Sequence, residues 1–257
     1  MSDQVRIITS RKNPNVVFWR SLKEIRVRRE HRLVLLEGDK LTGEALSAGL
    51  RCRELLMAES YKGRLGDAGN VPISYQLPDY VFQSICETKT PQGIAGVFYL
   101  EEPHVQPKGL ILALDAVQDP GNVGTMIRTA DAAGFQGVVL SKQCADAWGS
   151  KALRAGMGSH FHLPVETVDS LPEWLMQAGE KAEIIVSQLD GELLQKGVLH
   201  SGSECRIIVI GNEGRGVSEE VKAAATCHVR IPMTGKAESL NAAVAAGLLM
   251  YHFAGLI

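Results

Sequence analysis

The pattern of apolar and polar positions divides the chain into two parts that differ in how predicted strands and helices follow one another. In the first hundred residues, Pro14 begins a helical pattern whose apolar residues Phe18, Leu22 and Ile25 share one face. A Gly/Asp-rich stretch at residues 62–72 indicates a loop. The remaining runs predict a small α/β unit with strands at 32–38, 53–58, 73–76 and 94–100 and helices at 41–48 and 79–84.

In the second part of the chain, short apolar runs alternate regularly with helical patterns. This alternation predicts parallel strands joined by crossover helices, as in an open, doubly wound sheet that binds its ligand at the carboxyl ends of strands. A segment with two prolines separates the parts, so the expected division is residues 1–100, a linker at 101–108 and a domain at 109–257. Strands are predicted at 109–115, 137–140, 184–187, 205–211 and 228–231.

The composition is that of a globular protein and narrows its possible location. Of 257 residues, 45% are apolar and 22% are charged, and no run of about 18 uncharged apolar residues predicts a membrane span. The N-terminus, MSDQVRIITSRK, lacks the apolar segment of a secretory signal. Five scattered cysteines without a C-x-x-C pair indicate reduced thiols and argue against a zinc site. We therefore expect a cytoplasmic protein with no membrane segment and no metal ion.

The net charge of −2 hides an asymmetry along the chain. Residues 1–32 contain nine Lys or Arg residues against three acidic ones, a local charge of +6 that leaves −8 for the remainder. A basic end on a mildly acidic body is typical of a protein that holds a polyanion by one end. A solvated helix face would carry the same charges, so the pattern alone leaves both interpretations open.

The first of three polar clusters is DPGNVGTMIR, residues 119–128. Its glycines fit neither the dinucleotide fingerprint G-x-G-x-x-G nor the P-loop G-x-x-x-x-G-K-[ST]. Asn122 either caps the helix that begins here or serves a site. Arg128 lies among residues that the helical pattern turns toward the core, and a guanidinium near a core needs an anion from the protein or from a ligand.

The second cluster is IVIGNEGRGVS, residues 208–218, where a strand ends in Gly211, Asn212 and Glu213 followed by two more glycines. An ordinary strand-to-helix connection needs one glycine. Three glycines that alternate with polar residues force tight turns and expose backbone amides and carbonyls. We interpret this loop as functional.

The third cluster is IPMTGKAESLNAAVAAGLLMYH, residues 231–252, which leads into a helix of small residues. Ser239 is the expected cap of that helix if the cluster is only structural. A helix surface of alanine and glycine permits close approach of another backbone, as a tight subunit contact or a threaded segment requires.

In order and spacing, NVGTMIRTADAAGF and the second and third clusters resemble the three motifs of the SpoU (TrmH-like) RNA ribose 2′-O-methyltransferases, from residue 109 to the C-terminus. The N-terminal stretches TSRKNP, VLLEG and TKTPQGIAGVF resemble the RNA-substrate-binding domain often fused to this enzyme. The resemblance implies a small α/β substrate-binding domain followed by a parallel-sheet SPOUT domain with a deep trefoil knot. It also implies S-adenosylmethionine (AdoMet) as cofactor, a homodimer with sites near its interface, and an RNA substrate, with rRNA favoured over tRNA.

The resemblance further implies roles for residues at matching positions. Arg128 would activate the ribose 2′-hydroxyl, either as a base or by stabilising the developing alkoxide. We favour stabilisation, because a guanidinium with a pKa above about 12 is a poor base. Asn122 would orient the nucleotide, while the remaining catalytic residues would hold Arg128 and the ribose: Glu213, Ser239 and Asn241. The AdoMet contacts implied are Gly211, Asn212, Ile231, Met233 and Leu240.

Three other functions would make different demands on the sequence. A nucleotide-dependent oxidoreductase would use a doubly wound sheet, but the chain lacks G-x-G-x-x-G. An RNA-binding protein without methyltransferase activity would not need all five implied catalytic residues, which are present together. A tRNA ribose methyltransferase remains an alternative, and the resemblance leaves open the target nucleotide and any role in antibiotic resistance.

Overall fold

A computed structural model describes residues 5–63, 73–101, 103–179, 182–194 and 203–257. Its contacts define two compact units, Met1–Glu102 with Trp148–Phe161, and Pro103–Ala147 with His162–Ile257. The sequence pattern did not predict that Trp148–Phe161 packs with the first unit. The linker at 101–108 stays a prediction. Most of the predicted loop at 62–72 lies outside the described residues.

The described residues contain eleven strands and nine α-helices. The strands are β1 (Val5–Ile7), β2 (Leu33–Glu37), β3 (Cys52–Ala58), β4 (Ser74–Leu77), β5 (Ile94–Tyr99), β6 (Gly109–Leu114), β7 (Gly137–Ser141), β8 (Val165–Val168), β9 (Ala182–Leu193), β10 (Cys205–Ile210) and β11 (Cys227–Arg230). The helices are α1 (Pro14–Ser21), α2 (Ile25–His31), α3 (Asp39–Ser47), α4 (Asp79–Ile85), α5 (Pro120–Ala132), α6 (Ser150–Gly156), α7 (Leu171–Gln177), α8 (Glu219–Ala223) and α9 (Ala242–Phe253).

The described part of the first unit contains a mixed sheet in the order β1-β4-β3-β5-β2, so the small α/β unit is confirmed. The predicted apolar face through Phe18, Leu22 and Ile25 is wrong at its end, because α1 stops before Leu22 and Ile25 is exposed. Buried Arg28 explains the break. Its guanidinium donates to the carbonyls of Leu22 (2.7 Å) and Lys23 (2.6 Å) and thereby closes a corner between α1 and α2.

In the described part of the second unit, six strands form a sheet in the order β11-β9-β10-β6-β7-β8, and every pair is parallel. The predicted parallel sheet is therefore confirmed, although the sequence pattern missed β8 and made β9 too short. One face of the sheet packs on α7 and α8 through alternate residues of β6 and β10, such as Ile111 and Ile207. The trefoil knot stays a prediction.

The order of the strands locates the binding edge of this sheet. The chain leaves β6 for β7 on one side and leaves β10 for β11 on the other, while β6 and β10 are themselves neighbours. Their carboxyl ends therefore flank a topological switch point, where open α/β sheets form a crevice for ligands.

Local sequence fixes both ends of α5, the helix that follows β6. Asp119 caps its start by accepting a hydrogen bond from the Asn122 backbone N–H (3.0 Å), and Pro120 occupies the first helical position. At the other end Gly134 has a φ of +75°, and Phe135 N–H bonds to the Ala130 carbonyl at 2.9 Å in a Schellman arrangement. The helix can shift neither along its axis nor around it without breaking these contacts.

Candidate active site

Two loops meet at the switch point, one after β6 and one after β10. The buried carboxylate of Asp115 accepts a hydrogen bond of 2.7 Å from the backbone N–H of Ser218. In the opposite direction, the side chain of Asn212 donates to the carbonyl of Ala116 at 2.8 Å. These bonds hold the two loops in register, and the sequence analysis had not identified Asp115 as part of the site.

The loop after β10 is a tight turn built around Asn212. Its backbone exchanges two hydrogen bonds of 2.9 Å with Gly216, and its side-chain oxygen accepts from the N–H groups of Gly214 and Arg215 at 3.0 Å each. A Cβ on Gly211 would lie 2.5 Å from the Gly216 carbonyl oxygen and closer still to the Val217 nitrogen. Gly211 is therefore needed by the turn itself, whether or not it contacts a cofactor.

Asn122 does not cap α5, because Asp119 performs that function. Its side-chain nitrogen instead donates to the Glu213 carboxylate at 3.0 Å. The same carboxylate accepts from the backbone N–H groups of Gln118 and Asp119 at 3.2 Å. Glu213 thus joins the second motif to the first turn of α5. An Asp followed by Pro before a helix is a known start signal and could have assigned the cap correctly.

The environment of Glu213 favours its charged form. Partial burial acts to raise the pKa of this carboxyl, but hydrogen bonds from the Asn122 side chain and from backbone N–H groups outweigh burial. The pKa of Glu213 therefore lies below its ordinary value, and the group is a carboxylate at neutral pH.

Asn241 brings the third motif to the same place. Its side-chain oxygen caps α9 by accepting from the N–H groups of Ala243 (2.9 Å) and Val244 (3.3 Å). Its side-chain nitrogen donates to the Asn122 side-chain oxygen at 3.3 Å. The expected cap, Ser239, is wrong: it is exposed and forms no hydrogen bond with another described residue.

Arg128 is exposed, which corrects the interpretation that it lies near the core. Ile127 and Ala130 are buried as the helical pattern predicts, but Arg128 points away from them. It forms no hydrogen bond or ion pair with another described residue, so nothing in that part of the chain neutralises its charge. Because an exposed guanidinium is hydrated, Arg128 does not require an anion, but its charge is available to an anionic ligand.

The stretch between β11 and α9 exposes both backbone groups and apolar side chains. No backbone hydrogen bond joins residues 232–240 to other described residues, so their amides and carbonyls are available. Met233 and Leu240 expose 38% and 37% of their surface, and Ile231 is partly buried. Such backbone groups beside apolar side chains suit a ligand that has both polar and apolar parts.

The alanine-rich face of α9 is covered within the chain rather than exposed. Ala243 and Ala246 are buried where α9 packs on α5, and Gly247 lies beside Thr129, where a Cβ would meet its methyl group at 3.7 Å. The exposed apolar residues of α9 are Val244 (53%) and Leu248 (39%), one helical turn apart.

Other candidate chemistry is not supported by the described residues. Within them, no group of three or more His, Cys, Asp or Glu side chains could hold a metal ion. Burial raises the pKa of both Cys52 and Cys205 to about 11, so these thiols are protonated at neutral pH. No helix in this part of the chain is both long and apolar enough to cross a bilayer.

A glycine turn, three linked polar side chains and a stretch without backbone hydrogen bonds to other described residues thus meet at the ligand edge of a parallel sheet, an arrangement typical of a ligand-binding crevice. The profile of the SpoU rRNA methylase family matches residues 109–251, and the MRM3-like substrate binding domain matches residues 13–96. The chain belongs to the SpoU rRNA methylase family.

Relatives and solved structures agree with this assignment. The chain is 39% identical over 252 residues to the 23S rRNA (guanosine(2553)-2′-O)-methyltransferase RlmP of Bacillus subtilis, covering 96% of this chain and 99% of the relative. An AdoMet-bound rRNA methyltransferase from Sinorhizobium meliloti has a TM-score of 0.85 at 30% identity, covering 97% of both chains. The SpoU methyltransferase AviRb from Streptomyces viridochromogenes has a TM-score of 0.81 at 25% identity, covering 95% of this chain and 97% of its own.

Proposed function

We propose that this protein transfers a methyl group from AdoMet to a ribose 2′-hydroxyl of large-subunit ribosomal RNA. The observation that carries the proposal is the meeting of Asn122, Glu213 and Asn241, each from a different motif, at the switch point of the sheet. The family match and a full-length relative that acts on 23S rRNA support the reaction and the substrate class.

The cofactor would be held between the turn at Gly211 and the stretch from Ile231 to Leu240, with Met233 beside it. AdoMet supplies a methyl group on a positively charged sulfur. Unpaired backbone groups of residues 232–240 would bind its polar atoms, and exposed apolar side chains would cover its adenine. Asn212 would contribute only through the second lone pair of its backbone carbonyl, because its side chain holds the turn and Ala116 and its backbone N–H bonds to Gly216.

Arg128 would stabilise the negative charge that develops on the ribose oxygen. Its charge is permanent, and no described residue neutralises it, so it is available to the substrate. A preorganised donor of this kind acts without losing a proton, which removes the need for arginine to serve as a base. Ser239, exposed and without a partner among described residues, would bind the ribose or its phosphate.

The side-chain amide of Asn122 would orient the target nucleotide, and this amide is itself held in place by two neighbours. Glu213 binds the nitrogen of this amide and Asn241 binds its oxygen, so the side chain cannot rotate freely. Glu213 and Asn241 therefore act through Asn122 and are positioning residues.

Residues 1–100 would bind the RNA, a linker at 101–108 would follow, and residues 109–257 would carry out the reaction. The match of residues 13–96 to a substrate binding domain and the charge of +6 in residues 1–32 support this division. Removal of residues 1–100 should weaken RNA binding and reduce its salt dependence, because phosphate contacts release counterions.

We also propose a cytoplasmic homodimer whose C-terminal segment forms a trefoil knot and whose site contains no metal ion. The apolar residues Val244 and Leu248 lie one turn apart on α9 and remain exposed, which supports a subunit contact along this helix. Relatives that act on ribosomal RNA support the location.

The test is methyl transfer from labelled AdoMet to purified rRNA and, separately, to total tRNA. A 2′-O-methyl group blocks alkaline cleavage at its own nucleotide, so sequencing the hydrolysed RNA identifies the position and the chemistry together. We expect one protected position in 23S rRNA with the wild type and none with Arg128→Ala. Label on a base, or label in tRNA only, would contradict the proposal.

A further inference from the structure

Three basic side chains of the first unit form hydrogen bonds to groups along α4. The Arg11 guanidinium donates through Nε and Nη2 to the Tyr80 carbonyl at 3.1 and 2.9 Å. The Arg20 guanidinium donates to the Ser84 hydroxyl at 3.2 Å. Lys23 Nζ donates to the carbonyl of Cys86, the residue that caps the end of α4, at 2.9 Å. These three acceptor groups, the anchors of the basic side chains, lie along the helix from its first turn to its end.

All three anchors are neutral, so the positive charges are positioned but not cancelled. Within the described residues, no carboxylate forms an ion pair with Arg11, Arg20 or Lys23. The acidic neighbour Asp79 accepts a hydrogen bond from the Ser60 backbone N–H at 3.1 Å and forms no ion pair with these three side chains. A fixed row of cations without counterions is suited to a polyanion, because little side-chain freedom remains to be lost on binding.

An aromatic ring is held at one end of this row. The Tyr80 side chain is exposed (51% of the residue surface), yet its hydroxyl donates to the Thr9 carbonyl at 2.5 Å. The Arg11 guanidinium carbon lies 5.2 Å from the ring centroid. The ring is therefore fixed in orientation and accessible to solvent, beside a planar cation. Bases splayed out of RNA stack on such tyrosine rings and guanidinium planes.

We propose that Tyr80 and Arg11 form a stacking site for an unpaired nucleotide, and that Arg20 and Lys23 bind phosphates of the same strand. The inference rests on the proposed RNA substrate and adds that this substrate presents an unpaired nucleotide to the first unit. Bases in a duplex already stack on one another, so only an unpaired base can use the ring.

The test compares full-length Tyr80→Leu, Tyr80→Phe and Tyr80→Trp with the wild type by fluorescence anisotropy. The probes are a labelled single-stranded RNA of about 12 nucleotides and a fully paired duplex of equal length. Tyr80→Leu should weaken binding of the single strand about tenfold, as the loss of one stacked base does, and leave duplex binding unchanged. The Phe and Trp variants should bind the single strand like the wild type, because both retain a ring.

Two results would overturn the inference. One is wild-type affinity of Tyr80→Leu for the single strand. The other is an equal loss in Tyr80→Phe, which would show that the hydroxyl bond to Thr9 matters and the ring does not. If Tyr80→Leu lowers the melting temperature, Arg11→Lys decides instead, because it keeps the charge and removes the guanidinium plane beside the ring. Weaker binding of the single strand would support the stacking site, and wild-type binding would refute it.

Methyl transfer to rRNA separates this inference from the proposed function. Tyr80→Leu should raise the KM for RNA and leave kcat unchanged, since the ring takes no part in the chemistry. An active wild type with an unchanged KM in the variant would refute the stacking site alone. A wild type that neither binds RNA nor methylates it would refute both.

Discussion

Asn122 and Glu213 are linked by a hydrogen bond of 3.0 Å that joins the first motif of the catalytic domain to the second. The carboxylate also accepts two backbone N–H groups at the start of α5, so one side chain fixes both the helix start and the amide that projects from it. The opposite end of that amide accepts from Asn241. Because Asn122 is held at both ends, changes at either partner should alter its orientation.

The stability that Glu213 contributes should depend on pH. Its pKa is lowered in the folded protein, so its contribution is fully present above the unfolded pKa of about 4.3 and is lost as the pH falls through the lower, folded pKa. Glu213→Gln should melt a few degrees lower at neutral pH, and the difference should shrink below about pH 4. Thermal unfolding between about pH 3.5 and 7 measures this, and a difference that grows on acidification would show that the sign is wrong.

Substitutions of Asn241 should separate its capping of α9 from its contact with Asn122. Asn241→Ser keeps a good cap but cannot reach the Asn122 oxygen, whereas Asn241→Ala loses both functions. Both variants should lose methyl transfer, but only the Ala variant should lose about 1 kcal/mol of unfolding free energy. Full activity in the Ser variant would mean that Asn241 is only a cap.

Gly211 should tolerate no side chain, because a Cβ there would collide with the backbone of Gly216 and Val217. Gly211→Ala should therefore lower the melting temperature and abolish AdoMet binding together. The matched control is Gly214→Ala in the same turn, where a Cβ would meet only the Asn212 side-chain oxygen at 3.7 Å. Calorimetry with AdoMet and thermal unfolding of both variants are the measurements. Undiminished binding by a stable Gly211→Ala protein would contradict the geometry of the turn.

The sequence predicted the middle of the parallel sheet well because β6, β7 and β10 consist mainly of buried apolar residues. It missed β8 (Val165–Val168), in which only Val165 is buried and Thr167 is exposed. It also merged α1 and α2, because the carbonyls that Arg28 binds at the corner cannot be read from spacing. Short elements, and corners held by a side chain that bonds to carbonyls five or six residues earlier, therefore required the structure.

The residues of the candidate site could be named from motifs, but their contacts could not. Spacing left Asn122 as either a cap or a site residue and indicated Ser239 as the cap of the last helix. Only the hydrogen bonds show that Asp119 caps one helix and Asn241 the other. Periodicity also placed Arg128 toward the core. In the structure Arg128 is exposed although Ile127 next to it is buried, because the two residues lie on either side of the boundary between the buried and exposed faces of the helix.

Charges on the exposed face of α9 should prevent dimer formation. Val244→Glu combined with Leu248→Glu should sediment near the monomer mass of 27.8 kDa, because an apolar subunit contact cannot accommodate unpaired carboxylates. Met176→Glu on α7, where the apolar side chain is also exposed, should remain dimeric. A wild type that sediments as a monomer with full activity would contradict the homodimer.

Arg128 should be dispensable for folding and essential for the reaction. It is exposed and has no partner among the described residues, so Arg128→Ala should leave the melting temperature, AdoMet binding and most RNA affinity unchanged. Loss of one preorganised donor at the developing alkoxide should lower the rate about 10²–10³-fold. Arg128→Lys should restore little, because an ammonium cannot reproduce the planar fork. Single-turnover assays with saturating RNA and AdoMet measure the step directly, and near wild-type transfer by Arg128→Ala would remove Arg128 from the mechanism.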